Sequence, residues 1–467
     1  MHTPKETETE TFCNFLSEIK GFLHTPPLSP PLHDLAFIHH LRSVSFNNAL
    51  MSSPPAKLRV QPDDESPAIL PDELITEVLS HADVKSLMQM RCVSKTWDAM
   101  ISDPKFVKLH LKRTSRNPSL TLFLSKSRVD GDNNVVPFPV SCLIENPMIT
   151  LPNDPYFRLR DKECRYVIGS CNGWLCLLGY SSIGAYRQIW LRFWNPAMHK
   201  MTEKLGYIWD NILGLYTHFK FAFGYDELSE TYKVVLLILD EARNRTNVQI
   251  LSLGDDMWRS IQSFPAVPLP FRYSNPGVND VVYLNGSLNW LALRDSFRSI
   301  GVYGWKNVNV KEFVIISLDL GTETYRQLMP PCGFDEMSPV EPSICVLKDC
   351  LCFSNDYKRT DFVIWKMEVF GVEESWTQLF RISYQNLQSM HLDFVDLQYS
   401  QWLPLHLSDH GDTLILANKQ ERQAILYNLR DNRAVRTRIT DDIQWFSAKV
   451  HVESLVSDIL KPQVHQP

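Results

Sequence analysis

Residues 285–291 read Asn-Gly-Ser-Leu-Asn-Trp-Leu, a turn dipeptide placed directly before an apolar stretch. Asn-Gly favours a tight hairpin because both of its residues accept positive φ angles. The same order of turn and apolar strand recurs in Asn172-Gly-Trp-Leu-Cys-Leu, Asp349-Cys-Leu-Cys-Phe and Gly411-Asp-Thr-Leu-Ile-Leu. The markers at 285, 349 and 411 lie roughly 60 residues apart, which indicates a repeated structural unit.

The whole chain after Leu111 is β in character. Short β-branched or aromatic runs alternate with clusters of Gly, Asn, Asp and Pro, and no amphipathic helix stands out. Three or four strands per repeat predict a β-propeller over residues 113–460, and we favour six blades. Ring closure would pair a strand from Thr114–Leu124 or from Ser141–Ile149 with Lys449–Val456, because closure removes exposed sheet edges.

A helical segment precedes the β region. Pro71, Asp72 and Glu73 suit the first turn of a helix that should run to about His81. Asp83 can cap a second short helix, and Ser94 can cap a third that stops before Pro104. Three short helices within about 40 residues are few for an independent core, so we expect a neighbour or partner to cover their apolar faces.

These helices carry a specific resemblance. Their sequence is similar to the F-box of plant F-box proteins nearly from end to end, with several short signatures in the family's order. The matching segments are Leu70-Pro71-Asp72-Glu73-Leu74-Ile75-Thr76-Glu77-Val78-Leu79, Val84-Lys85-Ser86-Leu87, Arg91-Cys92-Val93-Ser94-Lys95-Thr96-Trp97 and Ile101-Ser102-Asp103-Pro104-Lys105-Phe106. One departure is that Ala82 and Asp83 stand where the family usually has an apolar residue and a proline.

Residues 165–456 in turn resemble the F-box-associated domain of the same proteins, which is often described as kelch-like. The shared motifs are Ser170-Cys171-Asn172-Gly173-Trp174, Trp194-Asn195-Pro196, Phe223-Gly224-Tyr225-Asp226, Tyr232-Lys233-Val234-Val235, Trp258-Arg259, Leu284-Asn285-Gly286-Ser287 and Glu453-Ser454-Leu455-Val456. The double glycine of true kelch repeats is absent from the sequence. The resemblance therefore supports the propeller architecture and not membership in kelch proper.

The F-box resemblance implies docking on the Skp-type adaptor of a cullin–RING ubiquitin ligase. The residues expected to contact the adaptor are Leu70, Pro71, Leu74, Ile75, Val78, Leu87, Cys92, Val93 and Trp97. Some of them, Val78, Val93 and Trp97 above all, could instead hold the helices together.

On the propeller, most tryptophans should fill the space between blades. Trp209, Trp305 and Trp402 fall in irregular segments and are our candidates for contact with a target protein.

Composition excludes several other classes of function. The net charge of −6 gives no electrostatic footprint for nucleic acid, and the longest aliphatic run, Val234–Leu239, is far too short to span a membrane. Motifs for nucleophilic, phosphate-binding, dinucleotide-binding or zinc-dependent catalysis do not occur, and the cysteines lack metal-ligand spacing. We therefore predict no catalytic residue, no metal and no cofactor.

The two ends of the chain differ from its middle. Residues 1–68 are rich in proline and lack tryptophan, which predicts a disordered leader, and residues 461–467 are a short tail. The leader has no basic region followed by an apolar run, so it does not resemble a secretory signal. We predict residence in the cytoplasm, the nucleus or both.

The sequence thus predicts an α+β multidomain chain: a disordered leader, a three-helix F-box over residues 69–112 and an all-β propeller. The expected function is that of a substrate-recognition subunit of an SCF-type ubiquitin ligase, which holds the adaptor through the F-box and a target protein through the propeller. One alternative is a scaffold or decoy that binds the adaptor without ubiquitination. Another is an enzyme or lectin built on the propeller, which fold alone would not establish.

Overall fold

The computed structural model of the chain describes residues 71–460, with gaps at 117, 126–132, 148–158, 162, 185, 212–217, 241–242, 244, 256, 270–280, 295–307, 339, 389–400, 419–423, 438–442 and 444. The predicted disordered leader and the tail lie outside the described residues. The described chain divides into a helical unit that ends at Thr114 and a β unit that begins at Ser115.

The helical unit contains α1 (Asp72–Leu79), α2 (Val84–Met90), α3 (Lys95–Ser102) and α4 (Pro104–Thr114). Both predicted caps are confirmed: the Asp83 carboxylate accepts a hydrogen bond from Ser86 N at 2.8 Å, and Ser94 Oγ accepts one from Trp97 N at 3.2 Å. The count of three helices was wrong by one. Pro104 ends α3 but also begins α4, because a proline is tolerated in the first turn of a helix.

Helix α4 is tied back to α1 and to the residues that follow it. The Arg113 guanidinium donates to both carboxylate oxygens of Glu77, at 2.7 and 2.6 Å, and to the Glu77 carbonyl at 2.9 Å. Buried His110 lies 2.9 Å from the Ala82 carbonyl through Nε2. The hydrogen bonds from Arg113 lower the pKa of Glu77. Arg113 therefore acts within the helical unit as a clamp between its first and last helices.

The described residues of the β unit form short antiparallel strands and two short α-helices, α5 (Val140–Glu145) and α6 (Tyr384–Gln388). Its strands are β1 (Ser119–Ser125), β2 (Asn133–Pro139), β3 (Leu159–Asp161), β4 (Cys164–Cys171), β5 (Trp174–Ile183), β6 (Tyr186–Asn195), β7 (Lys200–Met201), β8 (Leu205–Asn211), β9 (His218–Asp226), β10 (Thr231–Asp240), β11 (Arg245–Ser252), β12 (Arg259–Ser260), β13 (Val267–Pro268), β14 (Val281–Leu284), β15 (Ser287–Leu293), β16 (Phe313–Asp319), β17 (Tyr325–Leu328), β18 (Ser343–Leu347), β19 (Cys350–Tyr357), β20 (Asp361–Met367), β21 (Trp376–Ser383), β22 (Trp402–Leu407), β23 (Thr413–Asn418), β24 (Ala424–Asn428), β25 (Arg433–Arg436) and β26 (Lys449–His451).

The described strands form six sheets, which we number as blades. Blade 1 contains β26 and β1–β3, blade 2 β4–β8, blade 3 β9–β12, blade 4 β13–β17, blade 5 β18–β21 and blade 6 β22–β25. The innermost strands β4, β9, β14, β18, β22 and β26 contact one another in a closed ring. The prediction of a six-bladed propeller is confirmed.

Strand β26 closes the ring by joining the two ends of the β unit. It pairs with β1 in the register Ser119 with His451, Leu120 with Val450 and Thr121 with Lys449. The first of the two predicted closing segments is therefore the one used. The second, Ser141–Ile149, was wrong, because residues 141–145 belong to helix α5, which follows β2 directly. Blade 1 thus takes its inner strand from the end of the chain and its other strands from the start.

Candidate interaction surfaces

Helix α1 leaves an apolar stripe accessible to solvent. Pro71 is exposed, the Leu74 side chain keeps 39% of its surface, and Ile75 and Val78 are half-buried. Their spacing along the helix places these side chains on one side of α1. In the turn after α2, Cys92 is exposed and Val93 is half-buried, and in α3 Trp97 is half-buried. These predicted adaptor contacts all retain surface that a partner could cover.

Two of the predicted adaptor contacts differ from this pattern. Leu87 on α2 is fully buried, so it belongs to the interior of the helical unit and offers no surface to a partner. A side chain of this kind contributes to stability through packing, and sequence alone did not separate it from exposed apolar neighbours. Leu70 lies outside the described residues.

The three tryptophans predicted to contact a target have different environments. Trp402 begins strand β22 and is 2% exposed within the core cluster that includes Leu122 and Trp445, so its assignment to an irregular binding loop was wrong. Trp305 lies outside the described residues. Trp209 lies in strand β8, not in an irregular segment, and 56% of its surface is exposed.

Trp209 belongs to an aromatic patch on the outer part of blade 2. Tyr207 and Trp209 lie two residues apart on β8, and Gln188 lies opposite Trp209 on β6. Tyr186, two residues from Gln188, is on the same face of the sheet. The three aromatic side chains, Tyr186, Tyr207 and Trp209, are 49 to 56% exposed. We call this group the blade 2 aromatic patch.

Two charged groups near this patch, Asp210 and Lys204, are neutralised within the blade. Asp210, which alternates with Trp209 along β8, is buried and bridges to Arg187 at 2.6 Å. Lys204 bridges to Glu163 at 2.6 Å, and its Nζ lies 4.6 Å from the centre of the buried Trp190 ring. The patch therefore offers aromatic surface with little net charge, the composition of many protein-binding hot spots.

Residues 452–460, which follow β26, lie on blade 2, and we call this segment the strap. Its contacts explain two motifs of the resemblance. The Asn195 side chain is buried, and its Nδ2 donates to the carbonyls of Ser454 and Val456, both at 3.1 Å. Val456 and Ile459 pack against the core between blades 2 and 3. The Trp-Asn-Pro motif and the Glu-Ser-Leu-Val motif, more than 250 positions apart, thus meet at the ring closure.

Blades 3 and 4 are joined by a buried ion network. Lys233 Nζ lies 2.9 Å from the Asp226 carboxylate in its own blade, and 3.0 Å from Glu323 and 2.7 Å from the Leu320 carbonyl in blade 4. Arg259 holds Glu323 through both carboxylate oxygens. Arg259 and, less strongly, Lys233 lower the pKa of Glu323. Burial alone would raise the pKa of Asp226, but hydrogen bonds from Ser229 and Lys233 outweigh it and lower that pKa.

A cavity of about 160 Å³ lies between the innermost strands of the propeller. Every blade contributes to its wall, through residues that include Ser170, Phe223, Val282, Cys345, Pro404 and Lys449. Ser170 Oγ lies 3.1 Å from Nδ1 of the buried His451 on β26. Burial lowers the pKa of Lys449 to about 7 and that of His451 to about 4. The closing strand therefore carries two basic side chains whose charged forms are disfavoured by the fold.

This burial predicts that acid weakens the ring closure. Between pH 6.5 and 4 the unfolded chain binds a proton at His451 that the folded chain does not, so stability is lost as the pH falls through this window. From pH 7.5 to pH 5, the wild type should lose about 2 kcal/mol more than a His451→Gln variant, as measured by urea unfolding. Equal losses in the two proteins would contradict the assignment, since His110 and His406, whose pKa values burial also lowers, are present in both.

Two further properties bear on the kind of site the chain offers. The described residues bring no three His, Cys, Asp or Glu side chains together in a way that could hold a metal ion. None of the helices in the described ranges combines the length and hydrophobicity that a membrane-spanning helix requires.

Known protein families match both the helical unit and the β unit. A family model for the F-box domain matches residues 68–109, and one for the F-box associated beta propeller domain matches residues 114–332. An F-box/kelch-repeat protein of Arabidopsis thaliana is 27% identical over 68% of this chain and 80% of its own length. A putative F-box protein of the same plant is 25% identical over 66% of this chain and 61% of its own length.

A third relative, an F-box/LRR-repeat/kelch-repeat protein of Arabidopsis thaliana, is 24% identical over 73% of this chain and 83% of its own length. All three relatives are named as F-box proteins, and two of them are also named as kelch-repeat proteins. The family models also place the F-box before the propeller, in the order of the two structural units. The chain therefore carries an F-box domain followed by an F-box-associated β-propeller domain, the arrangement of the plant F-box proteins that it resembles.

Proposed function

We propose that the chain is the substrate-recognition subunit of an SCF-type cullin–RING ubiquitin ligase. The F-box would dock on the Skp-type adaptor, and the propeller would bind the protein to be ubiquitinated. The observation that carries the proposal is the accessible apolar stripe of Pro71, Leu74, Ile75 and Val78 on α1 of a matched F-box domain. A stripe of this kind in a small helical unit has the properties of a surface that a partner buries.

The proposed mechanism is proximity and requires no catalytic side chain in this chain. A target bound to the propeller would share one assembly with the ubiquitin-carrying enzyme, so its lysines would experience a high effective concentration of that enzyme. Specificity would come from the propeller surface, where the blade 2 aromatic patch is the strongest candidate contact among the described residues. Removal of the target by the proteasome would follow ubiquitination.

The first test concerns the adaptor face. Replacing Leu74 with glutamate should weaken binding of a recombinant Skp-type adaptor by roughly 30-fold or more, the ~2 kcal/mol typical of a buried interface anchor. The cause is the loss of apolar burial together with the desolvation of a new charge. Binding can be measured by calorimetry with the purified full chain.

Val369→Glu is the matched control, because Val369 is, like Leu74, an exposed apolar side chain, and it lies in the propeller. It should leave adaptor affinity unchanged. If Leu74→Glu binds the adaptor as well as the wild type does, the proposed docking face is wrong. If the wild-type complex captures the adaptor but recruits no cullin and RING subunits on reconstitution, the scaffold or decoy alternative replaces the ligase proposal.

A further inference from the structure

The outer edge of blade 2 is formed by β7 and β8, and the backbone of β8 after Gly206, whose carbonyl accepts a hydrogen bond from Trp258 Nε1 of blade 3, is a candidate for pairing with another chain. Strand β8 pairs with β6 on its inner side, and no strand in the described ranges pairs with its outer side. An edge of this kind presents a row of N–H and C=O groups that can form hydrogen bonds with another extended chain. The irregular pairing of β8 is confined to its first residues, and Ile208–Asn211 pair regularly with Tyr186–Ile189.

The other blades protect their outer edges better. The outermost strands β3, β12, β17 and β25 are only two to four residues long. Strand β21 is eight residues long, but it carries the exposed Arg381 and its pairing with β20 shifts register. Charges, short length and bulges are the devices by which proteins prevent pairing at sheet edges. Strand β8 has seven residues, of which four pair regularly, and it is distinguished by its charge, because its single charged side chain, Asp210, turns inward to Arg187.

The chemistry of β8 defines what the edge can accept. Along the strand, the half-buried Ile208 and the buried Asp210 alternate with the exposed Tyr207 and Trp209. An added strand would place every second side chain against these two rings. The charges of Asp210 and Lys204 are already neutralised by Arg187 and Glu163, and the exposed Glu203 precedes the strand. The strand itself therefore complements an uncharged partner.

We infer that the edge of β8 binds an extended, uncharged segment of the target protein as an additional β-strand of blade 2, with alternate apolar side chains on Tyr207 and Trp209. This inference rests on the proposed function for the identity of the partner as a target. Backbone hydrogen bonds would supply affinity, and the aromatic patch would supply selectivity for the side chains of the segment.

A random decapeptide display library selected on the purified full chain tests the inference. Enriched peptides should alternate aromatic or β-branched residues with polar, uncharged ones. A synthetic copy of the most enriched peptide should bind the Tyr207→Lys/Trp209→Lys variant at least tenfold more weakly than the wild type. It should bind Val369→Lys unchanged, because that control adds a lysine at a similarly exposed apolar position in another blade.

Backbone methylation distinguishes strand pairing from simple contact with the rings. In a paired strand only alternate N–H groups point to the neighbour, so N-methylation in one register should abolish binding and in the other register should be tolerated. Equal tolerance of both registers, or undiminished binding to the lysine variant, would overturn the inference. So would a wild-type dimer that the lysine variant dissociates in light scattering, because the occupant would then be a second copy of this chain.

Adaptor binding measured on the same proteins separates this inference from the proposed function. If the lysine variant and the wild type bind the adaptor equally while no peptide depends on the edge, the receptor function stands and the edge assignment fails. If neither protein binds the adaptor but peptides still depend on the edge, the proposed function fails and the edge remains a peptide-binding site.

Discussion

Replacing Lys233 with methionine should lower the free energy of unfolding of the propeller by about 3–5 kcal/mol. Lys233 is 5% exposed and neutralises Asp226 and Glu323, which lie in neighbouring blades. Methionine fills a similar volume but removes the shared ammonium group, and because Glu323 keeps its ion pair with Arg259, the loss falls mainly on Asp226. A buried carboxylate that loses its partner retains the cost of desolvation and loses the compensating attraction. Urea unfolding followed by tryptophan fluorescence measures the difference.

Lys366→Met is the matched control for this prediction. Lys366 bridges Glu368 at 2.7 Å on the surface of blade 5, where solvent screens the pair, so the change should barely affect stability. Acid should also shrink the effect of Lys233→Met. The lowered pKa values of Asp226 and Glu323 mean that their contribution is present above the unfolded pKa values, near 4, and is lost below them. A loss of stability that is similar for Lys233→Met and Lys366→Met would show that the buried network does not hold the blades together.

Much of the propeller could be predicted because hairpins are local. The Asn-Gly dipeptide alone predicts tight turns at Asn172-Gly173 and Asn285-Gly286, and all four residues have positive φ angles in the structure. Register follows from such turns, and the repeat of turn and strand gives the number of blades. Ring closure was also predictable, because an open ring would expose two strand edges and the two ends of the β region each supply a candidate strand.

Contacts between distant segments could not be predicted in the same way. Trp402 was misassigned because burial depends on what a neighbouring blade places beside it, and the first residue of a strand carries no periodic signal. No sequence motif marks Arg113, whereas the fold brings it to Glu77, 36 positions away. Similarly, the motif residue Asn195 shows its role only once the chain returns at Ser454. The sequence motifs mark positions such as Asn195 as part of the family pattern, but they do not show which distant residues contact them.

Substituting alanine at Gly173 should cost the propeller about 4 kcal/mol, and the strap that closes the ring is the reason. Gly173 has a φ of 85°, a region in which side chains are strained. A β-carbon at this position would also lie 2.3 Å from Cβ of Ser454, on the strap held by Asn195. The substitution must therefore either bend the turn between β4 and β5 or displace the strap.

Gly286 provides a control in which only one of these two effects operates. It occupies the same place in the Asn-Gly turn between β14 and β15, with a φ of 73°, and no described atom beyond its two chain neighbours lies within 4 Å of a β-carbon built there. Gly286→Ala should therefore cost only the backbone strain, about 1–2 kcal/mol. In the Gly173→Ala background, Ser454→Gly should restore part of the lost stability, because it removes the atom that is struck. Equal melting temperatures for the two alanine variants, or no rescue by Ser454→Gly, would mean that contact with the strap does not restrict the turn at Gly173. Since the strap follows β26 directly, the expected difference between the variants measures how firmly the end of the chain is fastened to blade 2.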